Sequence, residues 1–297
     1  MKRGTTTKRA TDTGLILERK MITRRDALKL DQGKCIGCQI CPAVCPQEAI
    51  ELRPGIVEDG RLIQKPAVDI DPARCNFCGE CVVLCPMNAF SLAVNGQPEI
   101  PVLKYGAFPE LIKEISVNGA NLALDAVAAC EESCPTEVIT VEAERNARGR
   151  VTRVLGVAVD EAGCIYCRQC EVACPGVFAV IKPWVGRVIL DVARCPEGCH
   201  ACADACPTDA LRMVDGNLVL DERFCLYCGV CQVVCPVEEA LVVERARILY
   251  QPVASAAWTA ALEKLISPQA AALELERKSQ NKRREVMSFL PGVGGTK

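Results

Sequence analysis

The sequence predicts an α+β fold made of three small two-site domains in tandem, followed by a helical tail. Three observations lead to that prediction. The first is a repeated cysteine pattern. Cys35, Cys38, Cys41 and Cys45-Pro46 are followed by Cys75, Cys78, Cys81 and Cys85-Pro86, each spaced C-x2-C-x2-C-x3-C-P. The second is what precedes the pattern. Asp31, Asp71, Asp160, Asp191 and Asp221 each stand four residues before the first cysteine of a copy, several of them after an apolar run such as Val157-Ala158-Val159. The third is spacing between copies: Cys45 to Cys75 and Cys134 to Cys164 are both 30 residues. An internal repeat of this kind fixes the architecture before residue propensities are consulted.

The chain has 297 residues, 22 cysteines and one histidine, His200. Disulfides need no fixed spacing, and zinc sites take two pairs of ligands. A 2-2-3 spacing ending in Cys-Pro is that of [4Fe–4S] clusters in bacterial two-cluster ferredoxins. There, three neighbouring thiolates wrap one cluster, and the fourth, turned away by its proline, serves the cluster of the other half. Cys35, Cys38 and Cys41 therefore pair with Cys85, and Cys75, Cys78 and Cys81 with Cys45.

Taken in order, residues 1–29 read as an N-terminal arm, with 1–14 disordered because Thr, Lys, Arg and Gly dominate it. Thr23-Arg24-Arg25-Asp26 resembles a twin-arginine export signal, but no apolar stretch follows before Cys35. Residues 30–96 form the first domain. Each half reads as strand, turn, cysteine loop, and a short helix opened by the proline, as at Pro207-Thr208-Asp209-Ala210-Leu211. Gly37, Gly79, Gly198 and Gly229 beside ligands let backbone amides approach sulfur. Residues 97–117 are a linker, with a short helix expected at 109–115. Tyr105 and Phe108 there are either a partner's anchor or packing for their own domain.

Residues 118–185 form the second domain, whose first half is damaged. Cys130 and Cys134-Pro135 match the end of the motif, while Leu124 (or Ala123) and Val127 stand where its first two cysteines belong. Cys164, Cys167 and Cys170 keep Cys134 as fourth ligand; the other cluster lacks two ligands and is expected to be absent. Cys130 and Cys174 are left over as buried thiols, the rival being an odd-ligand cluster that uses Asp125. Residues 186–247 form the third domain: Cys195, Cys199 and Cys202 with Cys235, and Cys225, Cys228 and Cys231 with Cys206. Five [4Fe–4S] clusters are expected in all. The residue before the second cysteine is aromatic in each second half (Phe77, Tyr166, Tyr227) and reads as packing beside a cluster.

Residues 248–297 form the tail. Ser255 can cap a helix whose Trp258, Ala261, Leu262, Leu265 and Ile266 share one face. A second helix is expected from Ser267-Pro268, with Glu274 and Lys278 spaced to pair and a charged stretch at 276–285. The tail reads as a docking element or as packing onto the third domain.

The formal charge is −2. Five oxidised cubanes with their thiolates would take it to roughly −12. That disfavours nucleic acid as a partner. No run of 18 apolar residues suggests a membrane span. No G-x-G-x-x-G, P-loop or Ser/His/Asp arrangement is present. The chain is expected to conduct electrons, not to catalyse, in a reducing cytoplasm.

On these residues, together with the 106–115 stretch Gly-Ala-Phe-Pro-Glu-Leu-Ile-Lys-Glu-Ile, Cys195-Pro196-Glu197-Gly198-Cys199 and the tail at 258–265, the sequence resembles the archaeal polyferredoxins. Within them it is most similar to the polyferredoxin subunits of tungsten or molybdenum formylmethanofuran dehydrogenase. The resemblance implies an electron-relay subunit of a multisubunit low-potential redox complex. Its implied partners are a catalytic molybdenum or tungsten enzyme and other iron–sulfur or flavin subunits. The alternatives are a soluble multi-cluster ferredoxin and a subunit of a hydrogenase or heterodisulfide reductase-type complex. With one cluster position lost, the relay through the second domain is expected to be broken or bent.

Overall fold

Five aspartates open the same turn. The Asp31 carboxylate accepts from the backbone N–H of Gly33 (2.8 Å), Asp71 from Ala73 (2.8 Å), Asp160 from Ala162 (3.1 Å), Asp191 from Ala193 (3.1 Å) and Asp221 from Arg223 (3.1 Å). A short side chain that bonds its own backbone two residues on ends a strand and starts a turn. The chain is described here by a computed structural model covering residues 4–267 and Glu276, and each of these turns leads from a strand into a cysteine loop.

The first domain runs β1 (Thr5–Thr11), β2 (Gly14–Lys20), β3 (Arg25–Asp31), α1 (Ile40–Val44), β4 (Ile50–Arg53), β5 (Ile56–Glu58), β6 (Arg61–Gln64), β7 (Ala67–Ile70), α2 (Glu80–Val83), β8 (Phe90–Val94) and β9 (Gln97–Pro98). β4 pairs antiparallel with β7, and β3 with β8, so the two halves close on each other.

The N-terminal stretch is not a disordered arm. β1, β2 and β3 extend the β8 sheet in the order β1-β2-β3-β8-β9. The reason is a two-residue alternation: Leu15 and Leu17 on β2 and Leu28 and Leu30 on β3 all point into the core. β1 is polar because it is the exposed outer strand, and its threonines suit a strand as well as a coil. Arg24 and Arg25 sit at the entry to β3. Arg24 Nε donates to Asp26 at 2.7 Å, and Arg19 donates to the same buried carboxylate at 2.6 and 2.9 Å.

The expected linker helix is displaced. α3 (Pro101–Lys104) comes earlier, with proline in its first turn. Residues 109–115 are extended instead: Leu111 bridges to Tyr250, and β10 (Glu114–Val117) has already joined the second domain. That domain continues with α4 (Val127–Glu132), β11 (Ile139–Arg145), β12 (Val151–Val159), α5 (Gln169–Ala173) and β13 (Phe178–Ile181). β10 pairs with β13 and β11 with β12, repeating the first domain's closure and moving its start to Glu114.

The third domain has β14 (Trp184–Leu190), α6 (Ala201–Asp204), β15 (Leu211–Val214), β16 (Asn217–Leu220), α7 (Val230–Val234) and β17 (Leu241–Ile248). β14 pairs with β17 and β15 with β16.

In the five intact halves the helix lies inside the cysteine motif, between its second and fourth cysteines, and in the damaged half it runs from Val127 to Glu132; in none does it follow the proline. The fourth cysteine stands four positions after the third, about one helical turn. After the proline the chain makes a turn with a left-handed residue: Glu48, Asn88, Glu137, Asp209 and Glu239 have φ between 48° and 60°.

The tail helix α8 (Ala256–Ile266) forms as the apolar spacing requires. The Ser255 hydroxyl caps it, accepting from Trp258 N–H and donating to the Ala107 carbonyl at 2.7 Å. Its buried face, Trp258, Ala261 and Leu265, packs on α1, β17 and Phe108, not on the third domain alone. The helix expected after Ser267, with Glu274, Lys278 and the 276–285 stretch, lies outside the described residues apart from Glu276.

Candidate metal centres

The folded chain gathers thiols that are far apart in sequence. One cavity is lined by Cys35, Cys38, Cys41 and Cys85, and a second by Cys75, Cys78, Cys81 and Cys45. A third is lined by Cys195, Cys199, Cys202 and Cys235, and a fourth by Cys225, Cys228, Cys231 and Cys206. Their empty volumes, open mouths included, are alike at 310 to 370 Å³. In the second domain the Cys134 thiol acts on each of Cys164, Cys167 and Cys170.

The donor set fits a [4Fe–4S] cluster. Among the described residues no three His, Cys, Asp or Glu side chains converge on a single ion. Each set of four surrounds a space instead, which suits a four-iron cube and not one tetrahedral zinc. Backbone N–H groups also aim at sulfur: Ala49 at Cys45 and Ala89 at Cys85 (3.3 Å each), Tyr166 at Cys164 (3.4 Å) and Tyr227 at Cys225 (3.3 Å). The left-handed residues Glu48 and Asn88 are what turn the first two amides inward. Hydrogen bonds of this kind stabilise negative charge on ligand sulfur and tune potential.

Burial pushes these thiols up: Cys78, Cys170, Cys202 and Cys225 to about 12, and Cys167 and Cys228 to about 11, with neighbouring thiols adding to the effect. Thiols so crowded hold their protons until metal displaces them. Beside the second cavity, burial pushes the Glu80 carboxyl up to about 7, against the pull of Lys264 on α8.

The damaged half of the second domain is filled with side chains. Val127 is buried where a ligand would stand, packed with Leu122, Cys130 and Cys174. Leu124 is 47% exposed and Asp125 is also exposed, so neither faces that space. Cys130 and Cys174 pack in one core, and burial pushes Cys130 up to about 12, with the Cys174 thiol adding to the effect.

The aromatic before each second cysteine is buried, and each carries a cation over its ring. Arg19 lies 4.6 Å from the Phe77 centroid, Lys113 5.2 Å from Tyr166 and Lys182 5.0 Å from Tyr227. Sequence reading found the aromatics but not their cations, which come from strands and connections outside the motif. It also passed over Thr136 and Thr208, whose hydroxyls lie 3.5 and 3.8 Å from the Cys134 and Cys206 sulfurs. The shared Cys-Pro-Thr of those two halves was the available signal. Of the linker aromatics, Phe108 is buried against Trp258, while Tyr105 is 68% exposed.

A family model for the 4Fe-4S dicluster domain matches residues 34–89, 128–176 and 194–238. Formate hydrogenlyase subunit 2 of Escherichia coli (strain K12) is 33% identical over 89 residues, 27% of this chain and 44% of that protein. The aliphatic sulfonate oxidoreductase, polyferredoxin-like subunit, of Pyrococcus furiosus is 33% identical over 93 residues, 30% of this chain and 46% of that protein. The chain thus spans less than half the length of these curated relatives. A chain of the formate dehydrogenase–heterodisulfide reductase–formylmethanofuran dehydrogenase complex from Methanospirillum hungatei superposes with a TM-score of 0.75. It is 24% identical, and the match covers 90% of this chain and 92% of that one, a likeness of fold. No helix among the described residues is long and apolar enough to cross a membrane.

Proposed function

The chain belongs to the 4Fe-4S dicluster domain family, and from that premise we propose that it is the electron-relay subunit of a multisubunit low-potential redox complex of the formylmethanofuran dehydrogenase type. It holds five [4Fe–4S] clusters. Their ligands are Cys35, Cys38, Cys41 and Cys85; Cys75, Cys78, Cys81 and Cys45; Cys164, Cys167, Cys170 and Cys134; Cys195, Cys199, Cys202 and Cys235; and Cys225, Cys228, Cys231 and Cys206. The observation that supports this most is the gathering of three neighbouring thiols and a fourth from the other half of the domain around each of four cavities. A bound [4Fe–4S] cluster supplies one-electron chemistry at low potential.

The chain's own part is to bury the thiols, direct amides at sulfur and set domains side by side. Its partners are a catalytic molybdenum or tungsten enzyme and other iron–sulfur or flavin subunits, in a reducing cytoplasm. The complex type rests on the fold shared with the Methanospirillum hungatei complex. The Escherichia coli and Pyrococcus relatives favour one second reading, an electron-transfer subunit of another oxidoreductase complex.

Anaerobic reconstitution with iron and sulfide analysis, beside EPR of the reduced protein, tests the count. About 20 irons per chain with only [4Fe–4S] signals are expected, and about 24 would overturn the five-cluster assignment. Electrons passing from the reconstituted chain to a formylmethanofuran dehydrogenase catalytic subunit, but not to a hydrogenase, would separate the two complex types.

A further inference from the structure

The three domains meet pairwise, and each meeting joins one thiol set to another. Between the first and third, Arg245 on β17 donates Nε to the Tyr227 carbonyl at 2.8 Å and Nη2 to the Cys228 carbonyl at 2.6 Å. A methyl group at Gly229, whose φ is 88°, would fall 3.2 Å from Arg245 Nη2 and 3.9 Å from the Cys38 carbonyl oxygen. The guanidinium and two ligand loops from different domains therefore share one contact. The Cys228 thiol acts on Cys38 across the domain boundary, and Arg245 acts on both.

The other two meetings repeat this. Lys182 donates Nζ to the Cys225 carbonyl at 2.9 Å, and the Cys225 and Cys167 thiols both act on it, so it stands between the third and second domains. Asn88 donates to the Cys164 carbonyl at 2.9 Å, and Lys113 has both Cys164 and Cys85 beside it, between the second and first. One apolar core, with Met87, Ile165 and Leu226 from the three domains, gathers Cys38, Cys85, Cys167 and Cys228, and Cys199 packs against it as well. The two remaining sets each lie beside the junction set of their own domain: Cys81 has Cys85 among the thiols that act on it, and Cys231 has Cys202. The damaged half sits in the second domain's own core.

We propose that the sites of Cys35/Cys38/Cys41/Cys85, Cys134/Cys164/Cys167/Cys170 and Cys206/Cys225/Cys228/Cys231 form a closed three-way junction, with Arg245 and Lys182 as the cations that tune it. The site lost from the second domain is then a missing outlet and not a missing link. Electrons pass between the first and third domains directly. Each transfer oxidises one site by one electron and reduces its neighbour by one, and no proton or leaving group moves. This rests on the relay reading above.

A positive charge beside two sites favours the reduced form of both. The test is an EPR-monitored redox titration of the full-length reconstituted protein as wild type, Arg245→Gln, Arg245→Lys and Lys182→Met. Arg245→Gln is expected to lower two midpoint potentials together, the reduced-to-oxidised ratio at fixed potential falling about tenfold, which is 59 mV for one electron. Arg245→Lys should restore most of that. Lys182→Met should lower two midpoints as well, one of them shared with the Arg245→Gln pair. About 20 irons per chain with midpoints unmoved, or with only one moved, overturns the junction and leaves the relay standing. A wild-type chain without [4Fe–4S] signals overturns the relay itself. If Arg245→Gln does not retain iron, Lys182→Met decides by the same two-midpoint criterion.

Discussion

Trp258 meets Phe108 edge to face, with ring centroids 5.3 Å apart and planes at 72°. Its other flank meets Tyr250 at 4.8 Å and 70°. Three separate stretches thus share one aromatic cluster: the connection after the first domain, the strand end of the third, and the tail helix. Trp258 is 2% exposed, and its indole N–H has no hydrogen-bond partner among the described residues.

That contact makes the tail part of the fold. Trp258→Ala removes a large buried ring and should cost about 3–5 kcal/mol. Trp258→Phe loses no hydrogen bond and should cost less. Anaerobic thermal melts of the reconstituted protein measure both. A Trp258→Ala melt within a degree of wild type would mean that α8 does not hold the first and third domains together.

The two classes of cysteine in the second domain should separate cleanly. Cys134→Ala leaves Cys164, Cys167 and Cys170 with three ligands, so iron should fall by one to four atoms per chain, with a [3Fe–4S] EPR signal where three irons are kept. Cys130→Ala, in contrast, removes a thiol packed among Val127 and Cys174 and should leave the iron content unchanged. Iron loss in both variants would mean that the damaged half binds metal.

The same thiol gives a pH dependence. Burial pushes Cys130 up to about 12 from an ordinary 9.0. Between those values the folded chain keeps the proton and the unfolded chain releases it, so this contribution to stability is present below pH 9 and is lost as pH rises. Only the thiolate is nucleophilic. Iodoacetamide at pH 9 should therefore alkylate Cys130 rapidly in denaturant and very slowly in the folded protein, as peptide mass spectrometry can follow. Equal rates in both would place Cys130 at the surface.

The cysteine loops were legible because cluster ligation imposes spacing, and spacing survives in one dimension. The Asp31, Asp71, Asp160, Asp191 and Asp221 turns were legible for the same reason: an aspartate that bonds its own backbone needs only a local neighbour. The helix after the proline was misplaced because proline at a helix start is a general preference. Here the left-handed residue after it, such as Glu48 or Asn88, turns an amide back onto sulfur instead. The N-terminal strands were missed because composition outweighed the alternation of Leu15, Leu17, Leu28 and Leu30.

By itself the sequence determined the repeat, the cysteines of each motif, the damaged half and the apolar face of α8, all of which are set by residues close along the chain. Only the tertiary structure decided which domains touch and through which residues. Arg245 lies 16 to 18 residues from Tyr227, Gly229 and Cys228 yet also meets the loop of Cys38. No local pattern encodes that meeting, because it depends on how three separately closed cores share the surface around Met87, Ile165 and Leu226.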